Sequence, residues 1–356
     1  MTNAKCIKKS LLWDITRRCN LNCIHCYNSG NQHGDMELNI QHDYETIINR
    51  ILSMGINHIH LLGGEPLIVQ GIFDLIKYAI KKEIIVSINT NGTLLSEDMI
   101  KKLIESGVSQ LTISLDGVTK ETNDAIRGNG NFNLVTNNIR CIENYIKKTR
   151  SDLIIQVATV VTRQNISSIH KMPRLLHELN VKYLDILHLY ECGNAINNNI
   201  ELGVSDKEYL ESINKIIIES YRNEIYVQID CKPLVLEILG KRYGLETNCY
   251  MNNYSGCYAG KDILFMNYKG ELFPCGPFAH KYGNNDSEFK INLLEKNYLE
   301  SHEKMEVCMR KMMDEESLME KFCEKCKYKS NCEGCIICNE KQGNLCKIAY
   351  ELYLNT

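Results

Sequence analysis

Three cysteines fall within eight residues, Cys19-Asn20-Leu21-Asn22-Cys23-Ile24-His25-Cys26, with gaps of three residues and then two. On a tight loop that spacing turns three thiolates toward one inorganic centre. No fourth cysteine is near; the next is Cys141. A [4Fe–4S] cubane held by three cysteines leaves one iron open to a ligand from outside the protein. A structural zinc site closes its shell with a fourth protein ligand, here His25 or a distant cysteine. Either way the fold has to be built around a metal-binding loop near the start of the chain.

A chain of 356 residues has room for one large domain and a smaller one. The formal net charge of -3 leaves no basic footprint for nucleic acid. No apolar run is long enough to span a bilayer, and no charged-then-apolar start marks a secretory signal. The expectation is a soluble cytoplasmic protein with neither nucleic-acid nor membrane partners. Seventeen cysteines would signal disulfides in a small secreted domain. Here most of them gather toward the two ends of a large chain, which fits metal ligation in a reducing or anaerobic cytosol.

Downstream of the loop the pattern alternates. Strands are expected at 10–16, 56–62, 84–89, 108–115, 153–161 and 182–188, and helices at 40–53, 70–82, 96–106, 121–126, 132–148 and 166–179. Six strand–helix units with right-handed crossovers imply a parallel sheet. They are too few for a closed eight-fold barrel, so the expected α/β fold is a partial (β/α)6 TIM-like barrel. Chemistry in such barrels collects at the carboxyl ends of the strands. The cysteine loop, Gly63-Gly64-Glu65-Pro66, Asn89-Thr90-Asn91-Gly92 and Ser114-Leu115-Asp116-Gly117 all stand at such ends. A polar linker at 194–203 leads to a helix 205–222, a strand near 225–230, a helix 233–241 and a hairpin around Tyr268-Lys269-Gly270. The expected division is 1–190 for the barrel, 191–245 for a bridging segment and 246–356 for a cysteine-rich domain.

The cysteine spacing, the aromatic His25 before the last cysteine and Gly63-Gly64-Glu65-Pro66 on the second strand resemble the radical S-adenosylmethionine (SAM) superfamily. That resemblance implies a [4Fe–4S] cluster on Cys19, Cys23 and Cys26, with SAM on its open iron. It implies that backbone carbonyls of the Gly63-Gly64-Glu65 stretch accept from the methionyl ammonium. Ser114 would touch the cofactor, and Arg127, in Asp124-Ala125-Ile126-Arg127-Gly128, would hold its carboxylate, a group a guanidinium fork suits. Asn89 and Asn91 are candidates for ribose or methionine contacts, and turn chemistry explains them equally well. Leu187 is a candidate for packing on adenine, or plain core.

The tail resembles the SPASM extension of radical SAM peptide-modifying enzymes, which binds two auxiliary [4Fe–4S] clusters. By that pattern Cys249, Cys257, Cys275 and Cys335 hold the first, and Cys323, Cys326, Cys332 and Cys346 the second. The chain departs from the pattern after Cys332: Cys335 follows at a short gap and Cys338 is extra, so either could close the first cluster. Two zinc ribbons are the alternative. Cys6, Cys141, Cys192, Cys231 and Cys308 match no motif. Cys141 reads as core, and Cys192 follows the last barrel strand.

The implied activity is reductive cleavage of SAM to a 5′-deoxyadenosyl radical that modifies a peptide or protein side chain, for example into a thioether or carbon–carbon crosslink. Two other readings are an anaerobic sulfatase-maturing enzyme and a non-catalytic iron–sulfur or zinc scaffold. In sulfatase-maturing relatives an aspartate follows the cysteine matching Cys275 and serves as general base; here that position is Gly276. The resemblance also implies an external electron donor of flavodoxin or ferredoxin type. The loop begins at Cys19, so a leader peptide is expected to bind elsewhere on the chain or through a separate partner protein.

Overall fold

The computed structural model describes residues 9–29, 40–198, 200–229, 235, 237–239, 259–260, 262–283, 289–315 and 348. In chain order the elements are β1 (Ser10–Thr16), α1 (Ile40–Ser53), β2 (His58–Gly63), α2 (Ile72–Lys81), β3 (Ile85–Thr90), α3 (Glu97–Ser106) and β4 (Gln110–Ser114). Then come α4 (Lys120–Arg127), α5 (Asn131–Thr149), β5 (Ile154–Val160), α6 (Met172–Glu178), β6 (Tyr183–Leu187), α7 (Asn194–Asn197) and α8 (Asp206–Arg222). The last group is β7 (Tyr226–Ile229), β8 (Ile263–Met266), β9 (Glu271–Phe273), α9 (Gly276–Tyr282), β10 (Ile291–Asn292) and α10 (Tyr298–Glu315).

All six expected strands form and pair in sequence order, parallel throughout, as an open partial barrel. The sheet then continues past both of its expected edges. β7, from the bridging segment, adds parallel to β6, and β8 adds parallel to β1 on the opposite side. β9 and β10 follow antiparallel, the first pairing confirming the hairpin at Tyr268-Lys269-Gly270. The expected helix 166–179 is only partly α-helical. A 3₁₀ turn, Ile169–Lys171, precedes α6, and Pro173 stands in the first turn of α6, where its missing N–H costs no hydrogen bond. Most of the expected helix 233–241 lies outside the described residues.

The period-two burial of the strands explains the layering. Leu11, Trp13 and Ile15 of β1, Ile59 and Leu61 of β2, and Leu111 and Ile113 of β4 turn to one side and are essentially fully buried. They form one cluster with Ile47, Ile51, Leu75, Ile76, Leu103 and Ile139 from the helices. The residues between them face the concave side and are mostly polar. There His58 Nε2 meets Ser87 Oγ at 2.8 Å, and Thr112 donates to Gln156 Oε1 at 3.1 Å. Gln110 also donates to Gln156. These cross-strand bonds satisfy polar groups that the barrel would otherwise bury unpaired.

Trp13 is the only tryptophan, and it is fully buried at the centre of β1. Truncating it leaves a cavity in the layer under the cysteine loop. Trp13→Ala should lower unfolding stability by about 3–5 kcal/mol, read as a fall in the urea midpoint at constant slope. A shift of the midpoint too small to resolve would mean that β1 does not carry the core.

Candidate active site

The cysteine loop leaves β1 at Thr16, whose Oγ1 accepts the Arg18 N–H at 3.0 Å and turns the chain. Two glycines let β2 end directly beneath it. Gly63 has φ +119°, and a Cβ there would sit 2.5 Å from Thr16 O. At Gly64 a Cβ would sit 2.0 Å from Arg18 O, so no larger residue fits. In their place run two backbone bonds, Gly64 N to Thr16 O at 2.7 Å and Glu65 N to Arg18 O at 2.9 Å. The glycines of the Gly-Gly-Glu-Pro stretch thus have a steric role that their spacing alone did not reveal.

Glu65 is fully buried. Burial pushes its carboxyl up, against three donors that favour the charged form. Oε1 accepts from Leu67 N at 3.1 Å and Thr90 Oγ1 at 2.8 Å, and Oε2 accepts from Asn91 N at 2.8 Å. Its side chain ties the end of β2 to the end of β3. Asn91 then reaches the loop itself: its Nδ2 donates to Asn20 Oδ1 at 2.8 Å and lies 3.7 Å from Cys19 Sγ. Asn89, half-buried on β3, stands in register with Thr112 on the concave face.

On the other flank Asp116 follows β4 and is fully buried. Its Oδ2 lies 2.6 Å from Arg127 Nε and 3.2 Å from His25 Nε2. The Arg127 contact is a close ion pair, with the N–H not aimed along it. Burial alone would push the Asp116 carboxyl up, but Arg127, His25 and the Val160 N–H outweigh it and hold the group below the usual carboxylate range. Burial has the upper hand at His25, which is held below the ordinary imidazole value although Asp116 pulls it up. Arg127 in turn places Nη1 4.0 Å from Cys23 Sγ. Ser114, the last residue of β4, is half-buried beside this group, in register with Ala158.

Arg127 owes its place to the α4–α5 junction. The Asp124 carboxylate accepts from Gly130 N and Phe132 N, both at 2.8 Å, capping α5 and fixing the turn just past Arg127. Ile126 O accepts the Ile24 N–H at 3.0 Å, joining the end of α4 to the cysteine loop.

The region read as a polar linker does something else. Gly193 packs where a Cβ would come within 2.5 Å of Cys26 O, and Asn194 N donates to that oxygen at 2.8 Å. Asn194 Nδ2 donates to Asn22 Oδ1 at 2.8 Å and to Cys23 O at 2.9 Å, and Asn198 Nδ2 donates to Ile24 O at 3.1 Å. The segment after β6 is a clamp on the cysteine loop. Leu187, half-buried at the end of β6, pairs in register with Val160 below it.

The donor set fits a [4Fe–4S] cluster with SAM. Three thiols stand on one loop, Leu21 N and Asn91 Nδ2 point donors at Cys19 Sγ, and a buried guanidinium faces Cys23. Burial pushes the Cys23 thiol up to about 12 although Arg127 pulls it down, and metal binding favours the deprotonated sulfur. Cys275 is half-buried at the start of α9. The other tail cysteines, Cys249, Cys257, Cys323, Cys326, Cys332, Cys335, Cys338 and Cys346, lie outside the described residues. Sequence reasoning missed Asp116 and Asn194, and it misread Cys141, which is exposed on α5 and not part of the core. Asp116 was visible as a lone acid in the small and apolar run Ser114 to Gly117. Nothing local marked Asn194.

Asp14, on the concave face of β1, accepts from Tyr27 Oη at 2.8 Å and Asn28 Nδ2 at 3.3 Å, fastening the far end of the loop. Burial raises its carboxyl from 3.8 to about 7. A carboxyl raised on folding holds its proton longer in the native state, so its contribution to stability falls as pH climbs from about 3.8 to about 7. Asp14→Asn should therefore gain thermal stability relative to the parent between about pH 4 and about pH 8. A difference in Tm that does not change with pH would show that Asp14 titrates normally.

Comparison with known proteins agrees with this geometry. Residues 13–176 match the Radical SAM superfamily. The AdoMet-dependent heme synthase of Methanosarcina barkeri is 29% identical over 94% of this chain and 92% of its own length. The mycofactocin maturase MftC of Mycolicibacterium smegmatis is 34% identical over 76% of this chain, which spans 64% of that protein. Streptococcus suis SuiB bound to S-adenosylmethionine superimposes with a TM-score of 0.69 at 19% identity, covering 92% of this chain and 73% of SuiB. SuiB has also been solved bound to its precursor peptide SuiA. The matched stretch, which holds the three-cysteine loop and the glycine-lined end of β2, is a radical SAM domain, of a superfamily whose enzymes use a [4Fe–4S] cluster and S-adenosylmethionine.

Proposed function

We propose that this chain modifies a side chain of a peptide or protein by radical chemistry. When bound, the cluster and SAM supply a 5′-deoxyadenosyl radical that abstracts hydrogen from the substrate. The protein binds, orients and excludes water. In this reading Cys19, Cys23 and Cys26 hold the cluster and the Gly63-Gly64 carbonyls receive the methionyl ammonium. Arg127 receives the carboxylate, Ser114, Asn89 and Asn91 offer hydrogen bonds to the polar parts of SAM, and Leu187 packs against adenine. Cys249, Cys257 and Cys275, with Cys335 or Cys338, and Cys323, Cys326, Cys332 and Cys346 hold two auxiliary clusters in a C-terminal domain. The enzyme works in the cytoplasm with an external one-electron donor and a separate leader-binding protein.

The observation that carries the substrate class is the concave face. Relatives are named for haem synthesis and for peptide maturation, and these substrates differ in charge. A haem-type tetrapyrrole carries carboxylates that call for cations. Among the described residues, the polar concave-facing positions of β1–β6 include Asp14, His58, His60, Ser87, Asn89, Gln110, Thr112, Gln156 and Asp185, with no lysine or arginine. The two histidines are held far below the ordinary imidazole value by burial, to about 4 and about 3, so they add no positive charge. Neutral amides and hydroxyls suit a peptide. No helix among the described residues is long and apolar enough to cross a membrane.

Anaerobically reconstituted protein should hold about twelve irons, four in each of three cubanes, and should cleave SAM to 5′-deoxyadenosine with a strong reductant. Replacing Cys19, Cys23 and Cys26 together by Ala should remove one cluster and all cleavage. Cleavage surviving in that triple variant would sink the reading, and cleavage absent in the parent would favour the scaffold.

Formylglycine formation is a poorer fit. Gly276 opens α9, and a Cβ there would lie 3.3 Å from the Phe265 ring, so the position has neither a carboxylate nor slack for one. Incubation with SAM, reductant and a sulfatase-motif peptide should give no aldehyde by mass spectrometry. Catalytic conversion of its Cys or Ser would overturn the proposal in favour of sulfatase maturation.

A further inference from the structure

Asp116 is a buried charge at the site to which the reaction gives no task. Its N–H, its carbonyl and Oδ1 are hydrogen-bonded, while Oδ2 stands in ion-pair contact only. Oδ1 accepts from Val160 N at 2.8 Å and lies 3.4 Å from Thr159 Oγ1, both on β5. Its N–H donates to Asn123 Oδ1 on α4 at 2.9 Å, and its carbonyl accepts from Asn165 Nδ2 at 2.9 Å. Oδ2 faces the end of α4 at Arg127 and the cysteine loop at His25. A carboxylate held this firmly cannot follow its partners; they must follow it.

The way it meets Arg127 matters. A carboxylate that took both terminal nitrogens would use up the guanidinium fork. Here Nε takes the contact at 2.6 Å, and Nη1 is turned to within 4.0 Å of Cys23 Sγ. The terminal edge, the one able to grip a second carboxylate in bidentate fashion, is left facing the cysteine loop. Beyond Asp116, the acidic groups acting on this buried cation are the sulfurs of Cys23 and Cys26. The same Oδ2 also lies 3.2 Å from Nε2 of His25, between Cys23 and Cys26, so one oxygen is in contact with both the cation and the loop.

We propose that Asp116 is a positioning residue for SAM, orienting Arg127 so that its free edge receives the methionyl carboxylate at a fixed place relative to the cysteine loop. This rests on the reading of Arg127 as the carboxylate ligand. Loss of the Asp116 charge also removes a repulsion on the incoming carboxylate. That effect opposes the positioning effect, and the experiment reads their difference.

The test uses the full chain, anaerobically reconstituted, with SAM affinity measured by equilibrium dialysis and the reduced cluster's electron paramagnetic resonance spectrum recorded with and without SAM. Asp116→Asn should keep the parent's iron content, bind SAM about 10-fold more weakly or worse, and show a smaller SAM-induced spectral change. In an Arg127→Ala background, adding Asp116→Asn should change affinity by less than about 2-fold, because the two residues act as one. Decarboxylated SAM, which lacks the group in question, should bind parent and Asp116→Asn alike. If Asp116→Asn does not accumulate as folded protein, Asp116→Glu, which keeps the charge and moves it by one methylene, takes its place in the same cycle. Unchanged or tighter SAM binding, full additivity with Arg127→Ala, or equal loss of decarboxylated SAM would each overturn the proposal. So would loss of the cluster in both Asp116 variants, since Asp116 would then act on the loop through His25 and not on SAM. A parent that holds its cluster and binds no SAM would instead bring down the underlying reading of the site.

Discussion

At Gly64 the chain passes so close to the cysteine loop that a methyl group would sit 2.0 Å from Arg18 O. The rest of the site depends on that approach. It lets β2 end flush against the start of the loop, which brings Glu65 into the interior as a buried carboxylate. Glu65 then accepts from the end of β3, and β3 delivers Asn91 to Cys19. A side chain at position 64 would not remove one contact. It would lift the loop from the strand ends and leave Glu65 buried without its partners, a cost of a different order from a lost surface bond.

The two flanks of the loop are secured by different chemistry. On the β2–β3 side the ties are neutral hydrogen bonds and backbone contacts. On the β4 side they are ionic, through Asp116 and Arg127 beside His25. A buried pair of this kind contributes little to stability after desolvation, but removing either partner strands the other charge. That combination suits a place where one nitrogen of a guanidinium must be held and the others left free.

Much of this was legible in the sequence. The period-two pattern of Ser10 to Thr16 and the glycine breaks after β2 and β3 are local signals, and the strands and helices built on them form as expected. The motifs at the strand ends converge because parallel strands place all their carboxyl ends on one side. What could not be read was non-local. Ile263 to Met266 has the composition of a strand, but nothing in it says that its partner is β1. Asn194 lies in a run of asparagines that reads as a linker, and its partners are Asn22 and Cys23. Asp116 was quoted for its neighbour Ser114, because only the folded chain brings His25 and Arg127 to one of its oxygens.

The clamp of Asn194 on the cysteine loop also imposes an order on how the protein is made. The bonded residues are 172 and 171 positions apart in the chain. While the ribosome is still producing the barrel, the three thiols are already outside it, on a loop whose far-side restraint does not yet exist. The iron–sulfur centre can take its final setting only after β6 has been added and Asn194 has come down on Cys23 O.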